Sequence, residues 1–104
     1  MDNKSLQEQI CHEGYLLKNL PTEKIMGAFL TYCQKNIELE EKNEISVQQA
    51  AYNICGASST QEILTEFSEI VDIACDLELD DNQRELGEGD WKRLKKTIRS
   101  YEQL

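Results

Sequence analysis

Residues 59–89, STQEILTEFSEIVDIACDLELDDNQRELGEG, divide into an apolar-faced first part and an acidic second part. In the first, Ile63, Phe67, Ile70, Ala74 and Leu77 recur at spacings of 4, 3, 4 and 3, the period of a helix lying on a core. Leu64 and Val71 widen that stripe, which predicts a central helix. Ser59, followed three residues later by Glu62, has the capping-box spacing that satisfies unpaired backbone donors at a helix start. The second part, residues 80–89, reads as a polar, acidic loop leading to a new helix capped by Asp90.

The same stretch concentrates the charge. From Glu62 to Asp90 the acids are Glu62, Glu66, Glu69, Asp72, Asp76, Glu78, Asp80, Asp81, Glu85, Glu88 and Asp90, against the single base Arg84, a segment charge of −10. Residues 1–61 carry −3 and residues 91–104 carry +4, within a whole-chain charge of −9. The acidity is therefore local. It argues against nucleic acid as a direct ligand, because phosphates are repelled. It favours a basic partner, or serves solubility alone.

On either side of this stretch the periodicity is again helical. Leu6, Ile10, Leu17 and Leu20 mark a first helix over residues 3–19 that has Gly14 inside it and ends at Leu20-Pro21, since proline disfavours a helical residue before it. A second helix runs from Thr22 to Glu41, with Ile25, Phe29, Cys33 and Ile37 at every fourth position and Met26 and Leu30 beside them. The polar run Glu38–Glu44 reads as its fraying end and a loop. Ser46 and Gln49 form a second capping box, with Ile45 as a hydrophobic staple, opening a short helix through Ala50, Ala51, Ile54 and Cys55 that stops at Gly56. The last helix carries Trp91, Leu94, Ile98 and Tyr101 on one face and Lys92, Arg93, Lys95, Lys96 and Arg99 on the other. This basic face either pairs internally with the acidic helix, the favoured reading, or meets an anionic partner. No run alternates in the manner of a strand. The fold class is all-α: one domain over residues 1–104, a small antiparallel helical bundle of four to five helices, with the helix after Ser46 added to a four-helix core.

The bulk properties set further bounds. At 104 residues and 39% apolar the chain folds around one core. No apolar run approaches the roughly 20 residues of a membrane span, and the N-terminus has no apolar run of a signal peptide, so a cytoplasmic location with reduced thiols is expected. Cys11, Cys33, Cys55 and Cys75 are 22, 22 and 20 residues apart and lack the close pairs of zinc sites. Burial as small hydrophobes is favoured over a disulfide or a metal site. Cys11 and His12 are helix neighbours that point about 100° apart, which predicts a surface histidine and no dyad. Asp80-Asp81 and Glu40-Glu41 lack the spaced oxygens of a calcium loop. No catalytic motif, metal site or cofactor site is expected, and an enzyme is rejected.

From residue 44 to the end, the order of elements resembles the small immunity proteins of the colicin D type. The residues that carry it are Glu44-Ile45-Ser46-Val47-Gln48-Gln49 at a short helix start, Phe67-Ser68-Glu69-Ile70-Val71-Asp72-Ile73-Ala74-Cys75-Asp76 as the central helix, the acidic loop around Asp80-Asp81 and Glu85, and the closing helix from Trp91. The resemblance implies a helical bundle that binds a basic nuclease toxin and covers its substrate cleft with an acidic surface. On that reading the partner-binding residues are Glu69, Asp72, Asp76, Glu78, Asp80, Asp81, Glu85, Glu88 and Asp90. Glu69, Asp72 and Asp76 share one helix face by spacing. The alternative is a small helical adaptor or regulatory interaction module, homodimeric or not, whose acidic face serves solubility. A third and more distant reading uses the cysteines for metal binding or redox chemistry.

Overall fold

The computed structural model describes the backbone of residues 3–58, 60–79 and 84–102, and the side chains of residues 6–58, 60–77 and 89–101. All regular structure among the described residues is helical: α1 (Asn3–Leu16) with a following 3-10 turn (Leu17–Asn19), α2 (Thr22–Glu41), α3 (Val47–Ala57), α4 (Gln61–Glu66), α5 (Ser68–Leu79) and α6 (Arg84–Glu102). The all-α bundle expected from the periodicity is present, with one helix more than expected because the helix expected over residues 59–79 is two. The radius of gyration is 12.8 Å, close to the roughly 13 Å of a compact chain of this length.

Phe67 makes the break. Its φ of −119° and ψ of 33° leave the helical region. Its N–H still closes α4 on the Ile63 carbonyl at 2.9 Å, and its carbonyl accepts the first bond of α5, from the Val71 N–H at 3.0 Å. Packing explains the break, for the ring stacks on Phe29 at 5.3 Å and meets Tyr101 edge-on at 5.0 Å, in the range where aromatic pairs attract. The change of direction turns Leu64 outward, 42% exposed, so it does not widen the apolar stripe, while Val71 does. The cap of α4 is Thr60, whose hydroxyl accepts from the Ile63 N–H at 3.4 Å. Ser59, the expected cap, lies outside the described residues.

Two other helix ends differ from expectation. The helical backbone of α6 begins at Arg84, so Asp90 lies within it and caps nothing. Gly56 continues α3, which runs on to Ala57. The left-handed position is instead Asn43, at φ 61°, just after α2. There the Asn43 N–H donates to the Glu40 carbonyl and the Glu44 N–H to the Leu39 carbonyl, both at 2.9 Å. This is the paired Schellman closure, with asparagine in place of the usual glycine. By contrast α2 keeps its expected bounds, and Ser46 and Gln49 form both bonds of the capping box, at 3.1 and 2.8 Å.

The short helix α3 is the hub rather than an addition to the core. It packs on α1, α2 and α5, and Ala50, Ala51, Ile54 and Ala57 are essentially inaccessible. Alanines let three backbones approach one helix without a gap to fill. A polar seam runs through the same place. The Asn53 amide donates to Asn36 Oδ1 at 2.8 Å and to Gln7 Oε1 at 3.2 Å, while Asn53 Oδ1 accepts from Gln7 Nε2 at 2.7 Å and from the Cys11 thiol at 3.1 Å. Asn36 Nδ2 in turn donates to the Tyr32 carbonyl at 2.9 Å. Among the described residues every buried side-chain nitrogen and oxygen has a partner, as buried polar groups require.

Gly14 sets how closely α1 lies on α2. A Cβ at this position would stand 2.6 Å from Tyr32 Oη and 2.7 Å from Cζ. The ring is buried and its hydroxyl donates to the Ile10 carbonyl at 2.7 Å, so it has no room to withdraw; burial also pushes this hydroxyl well above the ordinary tyrosine range, keeping it a donor. Overpacking costs about 1–3 kcal/mol, and alanine's helix propensity returns about 1 kcal/mol at most. Gly14→Ala is therefore expected to lower stability by about 1 kcal/mol in urea unfolding. A rise in the midpoint would mean that Tyr32 does not set the spacing.

Candidate functional site

On α5 the physical chemistry separates two faces. Ile70, Val71, Ile73, Ala74 and Leu77 are buried, which directs Glu69, Asp72 and Asp76 outward, and all three are exposed. At about 100° per residue the three carboxylates fall within an arc of about 60°. Glu69 lies 3.8 Å from Arg93 of α6, with both side chains more than half exposed, a pair of little energetic consequence. Asp72 and Asp76 have no ion pair among the described residues. The spacing argument thus brings these three together. Asp90 is half-buried on α6 and is not part of that face. Asp80 and Asp81, and the side chains of Glu78, Glu85 and Glu88, lie outside the described residues.

The basic face of α6 pairs internally, in part with the acidic helix and in part with α2. Among the described residues only Arg93 reaches the acidic helix. Lys95 and Arg99 both turn to Glu41, at the end of α2, each at 3.7 Å. The N-terminal part of α6 is held to the same end of α2 by Trp91, buried, whose indole N–H donates to Glu40 Oε1 at 2.8 Å.

The cysteines correct the sequence reading in part. Cys33 is buried and free, as expected, and burial pushes its thiol well above the ordinary range. Cys55 of α3 and Cys75 of α5 are joined in a disulfide, with Cα atoms 5.5 Å apart, the usual spacing for such a bond. Packing of α3 on α5 creates that proximity, and the regular separations along the chain gave no sign of it.

A second surface escaped the sequence reading. Between α1 and α3 lies a cleft of about 500 Å³ lined by Cys11, His12, Tyr15, Tyr52, Asn53, Cys55 and Gly56. Tyr15 and Tyr52 are 58% and 51% exposed, and the Lys18 ammonium sits 3.7 Å from the centre of the Tyr15 ring. That cation and its hydrogen bond draw the Tyr15 hydroxyl below its ordinary range. His12 is exposed, as expected. Desolvation raises the Cys11 thiol, the opposite of what an activated nucleophile requires. The signal that could have found this cleft was weak: Tyr15 and Tyr52 sit off the apolar stripes of their helices.

Among the described residues no group of three or more His, Cys, Asp or Glu side chains converges as a metal site, and no helix is long and apolar enough to cross a membrane. The chain is an all-α helical bundle that presents an acidic helix face beside a basic one. Compared with known protein families, curated proteins and solved structures, it matches none.

Proposed function

We propose that the chain is an immunity-type inhibitor, which binds and neutralises a basic nuclease toxin through the acidic surface of α5. The observation that carries this reading is the outward row Glu69, Asp72 and Asp76 on a helix whose opposite face is locked in the core. Among the described residues only one of the three has an internal ion partner, and a loose one. A row of this kind steers a basic partner into register and excludes acidic ones, while buried anchors set the lifetime of the complex. The resemblance to colicin D-type immunity proteins over the same helix supports the reading. A cytoplasmic site of action follows from it. There the thiol pool would keep Cys55 and Cys75 reduced, so the bundle has to stand as the dithiol.

The test is capture of partners from the native host by the tagged chain, at low and at moderately high salt, beside the variant Asp72→Lys/Asp76→Lys. Recovery of a basic nuclease, with association slowed about 100-fold or more in the variant and an unchanged unfolding midpoint, is the expected result. The variant changes only exposed side chains, whose replacement typically moves stability by under about 0.5 kcal/mol.

The alternative is a small adaptor, homodimeric or not, and the α1–α3 cleft is the feature that favours it. Tyrosines supply large contact area at low entropic cost at interfaces. On that reading binding survives the charge reversal and fails in Tyr15→Ser/Tyr52→Ser.

A further inference from the structure

The outer arc of α6 holds a cleft of about 480 Å³ lined by Lys92, Lys95, Lys96, Arg99 and Ser100. At about 100° per residue, the four cations fall in an arc of about 100°, and over eight residues they span about 10 Å. Among the described residues no carboxylate lines the cleft. Glu41, at its α2 side, is shared by Lys95 and Arg99, at 3.7 Å from each. Lys92 and Lys96 are exposed and have no carboxylate within ion-pair distance among the described residues. Lys95 is the telling member. Its side chain is 20% exposed, and Glu41, 3.7 Å away and shared with Arg99, is its one counter-charge among the described residues. Like charges at these helical spacings are mildly destabilising, so stability alone does not favour that arrangement. It occurs in a chain with 20 acids and 11 bases, where neutralising carboxylates are in surplus.

We infer that this cleft binds a compact oligophosphate, free or as the phosphate chain of a nucleotide. Several ammonium groups and a guanidinium within two helical turns suit the closely spaced anionic oxygens of a phosphate chain, and the Ser100 hydroxyl adds a neutral donor. The surroundings limit the ligand's length. Glu38 and Glu41 border Arg99 in the adjoining cleft toward α2, and Glu69 stands beside Arg93 on the α5 side. A long polyanion would run over these carboxylates within the Debye length of about 8 Å and be repelled. A chain of a few phosphates ends before reaching them. The inference concerns a different face from the acidic row of α5 and goes beyond the inhibitor reading.

The test is calorimetric titration of the full chain with tripolyphosphate, together with thermal unfolding in tripolyphosphate and in sodium chloride at matched ionic strength. One saturable site is expected, with a rise in midpoint that sodium chloride does not reproduce. Lys92→Gln/Lys96→Gln is expected to weaken binding at least tenfold while the ligand-free midpoint stays in place. Lys96→Glu alone serves as a second variant with the same expected direction. A nucleoside triphosphate that binds as tripolyphosphate does identifies the phosphate chain as the whole ligand, and one that binds more tightly shows that the nucleoside adds contacts. The inference is overturned by heats that do not saturate, by affinity unchanged in both variants, or by a midpoint shift equal to that in sodium chloride.

Discussion

Replacing Asn53 with alanine is expected to lower the stability of the bundle by about 3 kcal/mol, read as a shift of the urea midpoint at unchanged slope. Asn53 is 2% exposed and Asn36, its partner, is fully buried. Truncation removes the donor to Asn36 Oδ1 and both bonds to Gln7. Each buried group left unpaired costs about 1–3 kcal/mol. Asn36 is the more severely orphaned partner, since Gln7 is part-buried and can turn toward water. A double-mutant cycle with Asn36→Ala separates the bond from the burial, and a coupling of about 1 kcal/mol or more is expected for residues in one network. A loss below about 1 kcal/mol for Asn53→Ala would mean that the seam is ornamental to stability.

Reducing the Cys55–Cys75 bond should lower stability by a similar amount. The bond closes a loop of sequence separation 20, and the loss of loop-closure entropy for such a loop corresponds to about 3 kcal/mol. For a domain of about 100 residues that is a fall in melting temperature on the order of 15 °C. The control is Cys55→Ala/Cys75→Ala, which should melt near the reduced protein and be indifferent to reductant. Cys11 and Cys33 remain in both proteins, so a reductant effect that persisted in the double variant would trace to them. The bond also fastens α5 to the hub α3, on the helix whose outer face carries Glu69, Asp72 and Asp76. An unchanged melting temperature on reduction would show that packing alone sets this pair of helices.

What could be read from the sequence was what depends on neighbours along the chain. The bounds of α2, the Ser46–Gln49 box and the buried face of α5 follow from periodicity and capping within a few residues. So does the shared face of the three α5 carboxylates. The errors arose where distant contacts decide. Phe67 fits the apolar period perfectly and still breaks the helix, because Phe29 and Tyr101 claim its ring. The pairing of Cys55 with Cys75 depends on how α3 lies against α5. Asn53 carries no signal in the local sequence, yet it joins three helices. Residues 84–89, with glycines at 87 and 89, lack an apolar period and read as loop. Glycine costs a helix only about 1 kcal/mol per site, and α6 extends through them. Asn43 was hidden in a polar run in which any of several residues would serve to end a helix.

The chain contains a single tryptophan, and its position gives it a spectroscopic use. The Trp91 indole is enclosed where α6 meets α2 and hydrogen-bonded to Glu40, one turn before Lys95. Its emission is therefore an intrinsic optical probe of one seam rather than of the molecule at large: water reaching the ring as α6 lifts from α2 moves the spectrum to the red. The disulfide joins α3 to α5, a different seam from the one the indole reports on. Comparing fluorescence with far-ultraviolet ellipticity during unfolding thus asks whether the closing helix leaves together with the rest, and the protein needs no label for the question to be put.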